Sequence, residues 1–432
     1  MRSEPLTAVV VGAGNRGKLV YADWARAHPD RLRVVAVAEP DDARREAVAR
    51  EHAIAPGRAF RDWRECLERP LLAEAAIIAT SDTLHVEPAL AAIARGYQVL
   101  LEKPIAPTRA ECVRVVEAAE AAGRLLQIGH VLRYTPFYEK VHEIAASGSL
   151  GEILHVDAKE HVAWWHMTHS YVRGRFRNRA LAAPILLAKS CHDLDLLSWI
   201  AGRPARRAAS FGGLGHYRAE SAPAGAPARC TDGCPVQASC PHDAVRFYLG
   251  PDERIARLWP WVDVSPDPSP AARRRALETG RYGRCVYRCD NDVLDHQVVA
   301  LEFEGGLTAS FALHGFAAKE QRTIRITGTR GELRGVLDGG AIEVTRPGVF
   351  AAERHDVAGS VFGHYGGDEG LLHSFTEVLR SGRRDALRAS GRSALESHLL
   401  GFAAEAARES GSAIEMAAFR AGAYREAGLD PR

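Results

Sequence analysis

The sequence predicts an α/β protein in two parts: a doubly wound parallel sheet over residues 1–130, then an α+β part over residues 131–432 built on a large, mostly antiparallel open sheet. Three observations carry this. As far as residue 130, short β-branched runs alternate with alanine-rich helical stretches, the pattern of parallel strands joined by crossover helices. Beyond it, strands with period-two alternation follow one another, as in a sheet with one covered face. Between these later strands, residues about 210–295 lose periodicity to proline, glycine and charge, an irregular stretch long enough to need a function or a staple.

In chain order, Thr7 to Val11 is the first strand, Gly12-Ala13-Gly14-Asn15-Arg16-Gly17 turns the chain, and Lys18 to His28 carries apolar residues at helical spacing. Strands recur at Arg33 to Ala38, Ala75 to Thr80, Gln98 to Leu101 and Leu125 to Gly129. After His130 the strands are Ile153 to Val162, Val298 to Phe303, Thr308 to His314, Arg322 to Thr327 and Ala341 to Thr345. Helices return from Gly367 to Ser410 and should pack back on the body. No repeat of solenoid type occurs.

The 432 residues are 46% hydrophobic and 25% charged, an ordinary globular balance. Net charge is +2, and basic runs such as Arg273-Arg274-Arg275 are short, so no continuous face for nucleic acid is expected. No apolar run reaches the roughly 18 residues that span a bilayer, and the start has no signal-like apolar region. A cytoplasmic protein without membrane or nucleic-acid partners is expected.

The glycine run has the spacing G-x-G-x-x-G between a strand and a helix, where glycines permit a tight turn, close approach of a pyrophosphate and close helix packing. Gly12, Gly14, Asn15, Arg16 and Gly17 are therefore candidate cofactor contacts. Glu39 ends the second strand, where a carboxylate accepts from a ribose 2′-hydroxyl; a 2′-phosphate would be repelled, so NAD is favoured over NADP. Further on, Val99-Leu100-Leu101-Glu102-Lys103-Pro104 sets a charged pair before a proline at a strand end, where a lysine is costly unless partnered or reactive.

The glycine loop and Glu102-Lys103-Pro104 together resemble the Gfo/Idh/MocA oxidoreductase family. The resemblance implies a Rossmann domain, a catalytic lysine at Lys103 beside a nicotinamide ring, and cofactor contacts from Thr80 and Glu102. Burial and the positive charge of an oxidised nicotinamide both disfavour the ammonium form, which suits Lys103 to remove a hydroxyl proton. Pro184 to Ile200 looks like the family's substrate-domain helix, with His192 in the place of its catalytic histidine. The carboxylate usual four positions earlier is replaced by Ala188. Lys189, one turn before His192, is then expected to bind a hydroxyl or an acidic group and to join Lys103 and His192 in the catalytic set.

Arg133 and Tyr134 lie in a segment resembling the family's arginine-tyrosine pair near the cofactor. Trp164, Trp165, His166, Tyr171 and Arg173 form a cluster expected on a loop after a strand, a mixture that suits a sugar, with aromatic faces for C–H groups and polar tips for hydroxyls.

Of eight cysteines, five are grouped in the irregular stretch as Cys230-x3-Cys234-x5-Cys240 and Cys285-x3-Cys289. In a cytoplasmic setting such grouping points to metal, here a structural zinc held by Cys230, Cys234, Cys240 and either Cys285 or Cys289, with His242 a further candidate; an iron–sulfur cluster is the less favoured occupant, and reduced cysteines without metal are the alternative. The expectation is an NAD-dependent oxidoreductase acting on a secondary hydroxyl of a sugar, cyclitol or glycoside, assembled as a homodimer or homotetramer. The alternatives are an NAD-dependent glycosidase working through transient 3-keto oxidation, and, because of Ala188, a non-catalytic sugar or cofactor sensor.

Overall fold

The computed structural model describes residues 4–357, 359 and 364–431. Strands β1 (Leu6–Val11), β2 (Leu32–Ala38), β3 (Ala59–Phe60), β4 (Ala75–Ile78), β5 (Gln98–Leu101) and β6 (Leu126–Ile128) form one sheet in the order β3-β2-β1-β4-β5-β6. Every pairing in it is parallel. The central strands β1 and β4 are buried almost throughout, which is why they read as unbroken Val, Ala and Ile rather than alternating. The strand order reverses between β1 and β4, and a crevice outside the carboxyl ends of strands at such a switch point is the natural ligand site.

The second sheet has nine strands: β7 (Ile153–Ala163), β8 (Ala205–Gly213), β9 (His296–Phe303), β10 (Thr308–Ala317), β11 (Gln321–Gly328), β12 (Glu332–Val336), β13 (Ala341–Thr345), β14 (Glu353–Asp356) and β15 (Ile414–Glu415). Only β7 with β10 runs parallel; the other pairs are antiparallel. Burial alternates along β9, so one face is covered and the other is not. Helices Cys191–Ala201 and Gly391–Ser410 pack on the sheet. On the open face Phe211 and Val298 pair across β8 and β9, and both are exposed.

The chain's end belongs to the core of its beginning. Leu371, Leu372 and Phe375 pack with Ala8, Val10 and Leu100 of the parallel sheet. Ile128 N–H donates to Ala389 O at 3.0 Å, and Ile105 N–H donates to His398 Nε2 at 3.0 Å. These long-range bonds tie the Glu102-Lys103-Pro104 turn to the last third of the chain.

The irregular stretch is more ordered than its composition suggests. Strand β8 runs on to Gly213, and helices Ala244–Leu249 and Pro270–Thr279 stand inside the insertion. Both helices carry local start signals: Asp243 caps the first, and Ser269 caps the second with Pro270 at its first position. The cluster expected as a loop after β7 is helical: Trp164–His166 is a single turn and Met167–Arg173 continues it with π-type bonding.

Candidate active site

The three glycines of the first turn do different work. Gly12 has φ +88°, and a Cβ there would lie 2.6 Å from Ala79 O. A Cβ on Gly17 would meet Gly12 O at 1.8 Å, so helix and turn could not close. Above Gly14 the space is open apart from the Arg44 guanidinium at 3.8 Å. A tight turn, a close packing and an open cradle are what a dinucleotide pyrophosphate requires, so these residues fit one. Asn15 is exposed on the same turn.

Glu39 is buried under the loop. Its Oε2 accepts from Ala13 N–H at 2.7 Å and its Oε1 from Asp41 N–H at 3.0 Å, with Arg44 3.5 Å away. A carboxylate has about four acceptor positions, so lone pairs remain for a ribose hydroxyl. On the neighbouring turn the Thr80 hydroxyl donates to Leu84 O at 3.0 Å. His85, buried, contacts Thr80 O at 3.2 Å and Pro104 O at 2.6 Å, linking this turn to Glu102-Lys103-Pro104. His85 stands at the N-terminal cap of helix Val86–Arg95, but its side chain makes no capping hydrogen bond and ties the two turns together instead.

Glu102 is taken up by Arg16 and Tyr21, both of which hydrogen-bond its carboxylate, and Arg16 continues to Asp368 at 2.8 Å. Burial pushes Glu102 up, but the Arg16 charge and the Tyr21 hydrogen bond outweigh it and hold the carboxyl below its usual range. Lys103 is therefore left without Glu102 as an ion-pair partner. Its Nζ donates to Ala188 O at 2.8 Å, and among the described residues it makes no ion pair. The position where a carboxylate was missed from the sequence thus presents its backbone carbonyl to the lysine.

His192 lies beside this lysine, buried, with Nδ1 unpartnered. Burial, then the charges of Lys103 and His130, push its pKa well below the ordinary value, so the ring is neutral at pH 7. His130 sits 5.6 Å away, edge to face and wholly buried, with neither ring nitrogen hydrogen-bonded and Asp195 3.9 Å from its Nε2. Asp82 Oδ2, on the turn after β4, is buried without a partner among the described residues. Neither His130 nor Asp82 stood out from the sequence; an orphaned buried polar atom is visible only in three dimensions.

The wall across from Lys103 is a charge network drawn from distant parts of the chain. Arg322 bonds Asp193 at 2.8 Å and also Glu160. Lys189 Nζ is 3.1 Å from Glu160 and 3.9 Å from Glu320, and Glu320 accepts from Ala163 N–H at 3.0 Å and meets His166 Nδ1 at 2.7 Å. Glu160 and Asp193 are hydrogen-bonded to each other and fully buried. Burial and the Glu160 charge, outweighing Arg322, push Asp193 up; Arg322 and Lys189 outweigh burial at Glu160 and hold it down. Of the two, Asp193 is therefore the one that takes up a proton first as pH falls. Lys189 is held by Glu160 and Glu320, which fixes its ammonium at the wall.

Trp165 and His166 stack at 5.6 Å, and Trp259 of the insertion meets both rings, at 5.4 and 4.9 Å. This aromatic wall adjoins Glu320 and Lys189. Trp164 instead lines a groove of ≈ 470 Å³ with Phe247 and Trp261 of the insertion. Three residues expected at the substrate are engaged elsewhere. Arg133 grips Asp195 through two bonds of 2.6 Å, and the Tyr134 hydroxyl accepts from Ala389 N–H at 3.1 Å, both deep in the core. Arg173 points into the insertion, donating to Arg284 O at 2.8 Å and His242 O at 2.7 Å. Tyr171 is buried behind the wall.

Residues 6–130 match the family described as "Oxidoreductase family, NAD-binding Rossmann fold", and residues 138–334 match the "GFO/IDH/MocA C-terminal domain". The putative oxidoreductase YteT of Bacillus subtilis is 25% identical over 261 residues, 60% of this chain and 59% of that protein. An inositol 2-dehydrogenase of Leifsonia xyli is 33% identical over 178 residues, 40% of this chain and 46% of that one. The chain thus spans about half the length of these curated relatives. Among solved structures, levoglucosan dehydrogenase in complex with NADH and levoglucosan superposes with TM-score 0.71 at 15% identity, covering 96% of this chain and 100% of that one. An Agrobacterium radiobacter oxidoreductase in complex with NAD+, L-tartaric acid and magnesium gives 0.68 at 17%, covering 96% and 99%. These likenesses show a shared fold.

Proposed function

The chain belongs to the Gfo/Idh/MocA oxidoreductase family, and from that premise we propose that it is an NAD-dependent oxidoreductase acting on a secondary hydroxyl of a sugar, cyclitol or glycoside. The observation that carries this reading is Lys103: its Nζ stands at the mouth of β5 with no carboxylate partner, held only by Ala188 O, because Glu102 is engaged by Arg16 and Tyr21. NAD bound over Gly12 to Gly17, with Glu39 at its ribose, would supply the hydride acceptor.

Lys103 Nζ then takes the proton of the reacting hydroxyl, and the Ala188 carbonyl fixes where that nitrogen points. His192, neutral, is suited to bond a neighbouring hydroxyl or to pass the proton on. Lys189 anchors oxygen at the opposite side while Glu160 holds it in place. Trp165 and Trp259 offer aromatic faces to a ring's C–H groups. The names of the relatives, inositol 2-dehydrogenase and levoglucosan dehydrogenase, support a polyhydroxylated ring as substrate class. The exposed Phe211–Val298 pair on the open sheet face supports a homodimer or homotetramer formed there.

A panel of monosaccharides, cyclitols and glycosides incubated with NAD tests this reading. Net NADH from at least one ring alcohol is expected. Release of an aglycone without net NADH would replace the dehydrogenase by a glycosidase, and tight NAD binding with no turnover on any member would replace it by a sensor.

A further inference from the structure

Away from the crevice, one trio of side chains has the chemistry of a metal site. His28 ends helix Asp23–Ala27, while Glu369 and His373 stand one turn apart on helix Gly367–Ser381, so a residue near the chain's beginning meets two near its end. One ligand atom from each lies within 4.8 Å of the other two, and among the described residues no other trio of His, Cys, Asp or Glu does the same. The grouped cysteines do not reach that spacing. Cys230, Cys234, Cys240 and Cys285 line a void of ≈ 20 Å³, and the Cys289 thiol donates to Cys285 O at 3.3 Å.

The spacing within the trio fits a tetrahedral ion. Bonds of about 2.0–2.1 Å from zinc to nitrogen or oxygen put tetrahedral donors about 3.3 Å apart, and the centres of two ligating imidazoles about 5 Å apart. Glu369 Oε1 and His373 Nε2 are 3.4 Å apart, and the ring centres of His28 and His373 are 5.4 Å apart.

Orientation supplies the second observation. His28 Nδ1 contacts Trp24 O at 3.0 Å. A carbonyl only accepts, so Nδ1 carries the ring proton and Nε2 keeps a lone pair for an ion, the arrangement in which metal-binding histidines are commonly held. The buried Trp24 indole stacks on His28 at 4.4 Å and meets His373 at right angles at 5.2 Å, which supports both imidazoles from one side.

We propose that His28, Glu369 and His373 bind one zinc ion, with water completing the tetrahedron. Two imidazole nitrogens select a borderline divalent ion over calcium and magnesium, which take oxygen ligands. The ion acts as a cross-link. Helix Asp23–Ala27 continues the helical segment Asn15–Ala22 that leaves the glycine turn, and helix Gly367–Ser381 carries Asp368 onto Arg16 at 2.8 Å. Zinc therefore fastens at a second point the two segments that Arg16 and Asp368 already join beside Glu102.

Cobalt(II) titrated into full-length, chelator-treated protein tests this, with zinc, calcium and magnesium as competitors. Micromolar cobalt should give a visible d–d band without a thiolate charge-transfer band, which separates this site from any metal at the cysteines, and zinc but not calcium or magnesium should displace it. His28→Gln and His373→Gln should each weaken binding by roughly 100-fold or more, since even the outer partners of metal ligands are worth 10–100-fold. Metal should also raise the unfolding temperature more in the parent than in His373→Gln. Absence of the thiolate-free band in the parent would overturn the site, as would its persistence in both variants or its displacement by magnesium. Equal temperature shifts in parent and variant would overturn the cross-link. The parent's band decides for or against the site even if a variant fails to fold, and none of these readings depends on turnover.

Discussion

The two sides of the crevice are built in opposite ways. On the cofactor side Glu39 and Glu102 each have fixed partners of their own: Glu39 the amides of Ala13 and Asp41, Glu102 the Arg16 guanidinium and the Tyr21 hydroxyl. On the substrate side Glu160, Asp193 and Glu320 share Lys189 and Arg322, so three acids face two cations. The strain of the third acid falls on Asp193, which burial and the Glu160 charge push up despite Arg322. One side is a preset cradle for a ligand of fixed shape. The other is a coupled network whose members depend on one another, which suits recognition of hydroxyls that differ among substrates.

This contrast can be broken most sharply at Arg322. In Arg322→Met the buried Glu160 and Asp193 lose a shared cation, and stability should fall by about 3–5 kcal/mol, read by denaturant unfolding; the same assay on Arg16→Met should show less, since Tyr21 still bonds Glu102 and Arg16 is partly exposed. Equal losses would mean that the two sides are not built differently. A smaller effect is expected at Glu39→Ala. Removing that carboxylate frees Arg44, 3.5 Å away, to meet a 2′-phosphate, so the preference for NAD over NADP should narrow by about tenfold in cofactor titrations. Unchanged discrimination would take Glu39 out of the ribose site.

A further test of how the two sides respond is pH. Burial, then the charge of Lys189, lowers His166 to about 4, and burial, then the charge of His130, lowers His398 to about 3. Each ring is neutral when folded but takes up a proton when unfolded, so the unfolded chain binds more protons at acid pH. Stability contributed by these rings is present above the ordinary histidine value of 6.5 and is lost as pH falls from 6.5 toward 4 for His166 and toward 3 for His398. The slope should approach about 1.4 kcal/mol per pH unit for each ring. Replacing His398 by Gln should flatten the acid limb of the unfolding curve, and an unchanged limb would show that the ring is not a source of it.

The same division explains what was legible in the sequence. The cofactor side is written in neighbours: Gly12, Gly14 and Gly17 fall within one turn, Glu39 ends the next strand, and Glu102 adjoins Lys103. A local pattern states such a site. Glu160, Asp193 and Arg322 lie on a strand, a helix and another strand, and only the pairing of β7 with β11, which sets Arg322 opposite Glu160, brings them together. Arg133 misled because an arginine next to a site in sequence is equally suited to bind a buried Asp195, a partner 62 positions away. Arg173 followed its helical segment to the insertion, whereas the sequence suggested a loop facing the ligand. The end of the chain packing on the first sheet was expressed only as apolar spacing in Leu371, Leu372 and Phe375, which names no partner.

The most direct test of the account is Lys103→Met, assayed for NAD binding and for turnover of a ring alcohol in one preparation. The account predicts that NAD binds as in the parent and the fold is kept, because the cradle from Gly12 to Glu39 does not use Lys103, while turnover falls by roughly 10²–10⁴-fold. Turnover at the parent's rate would contradict it, leaving Lys103 as a structural tether to Ala188 and placing the proton transfer elsewhere.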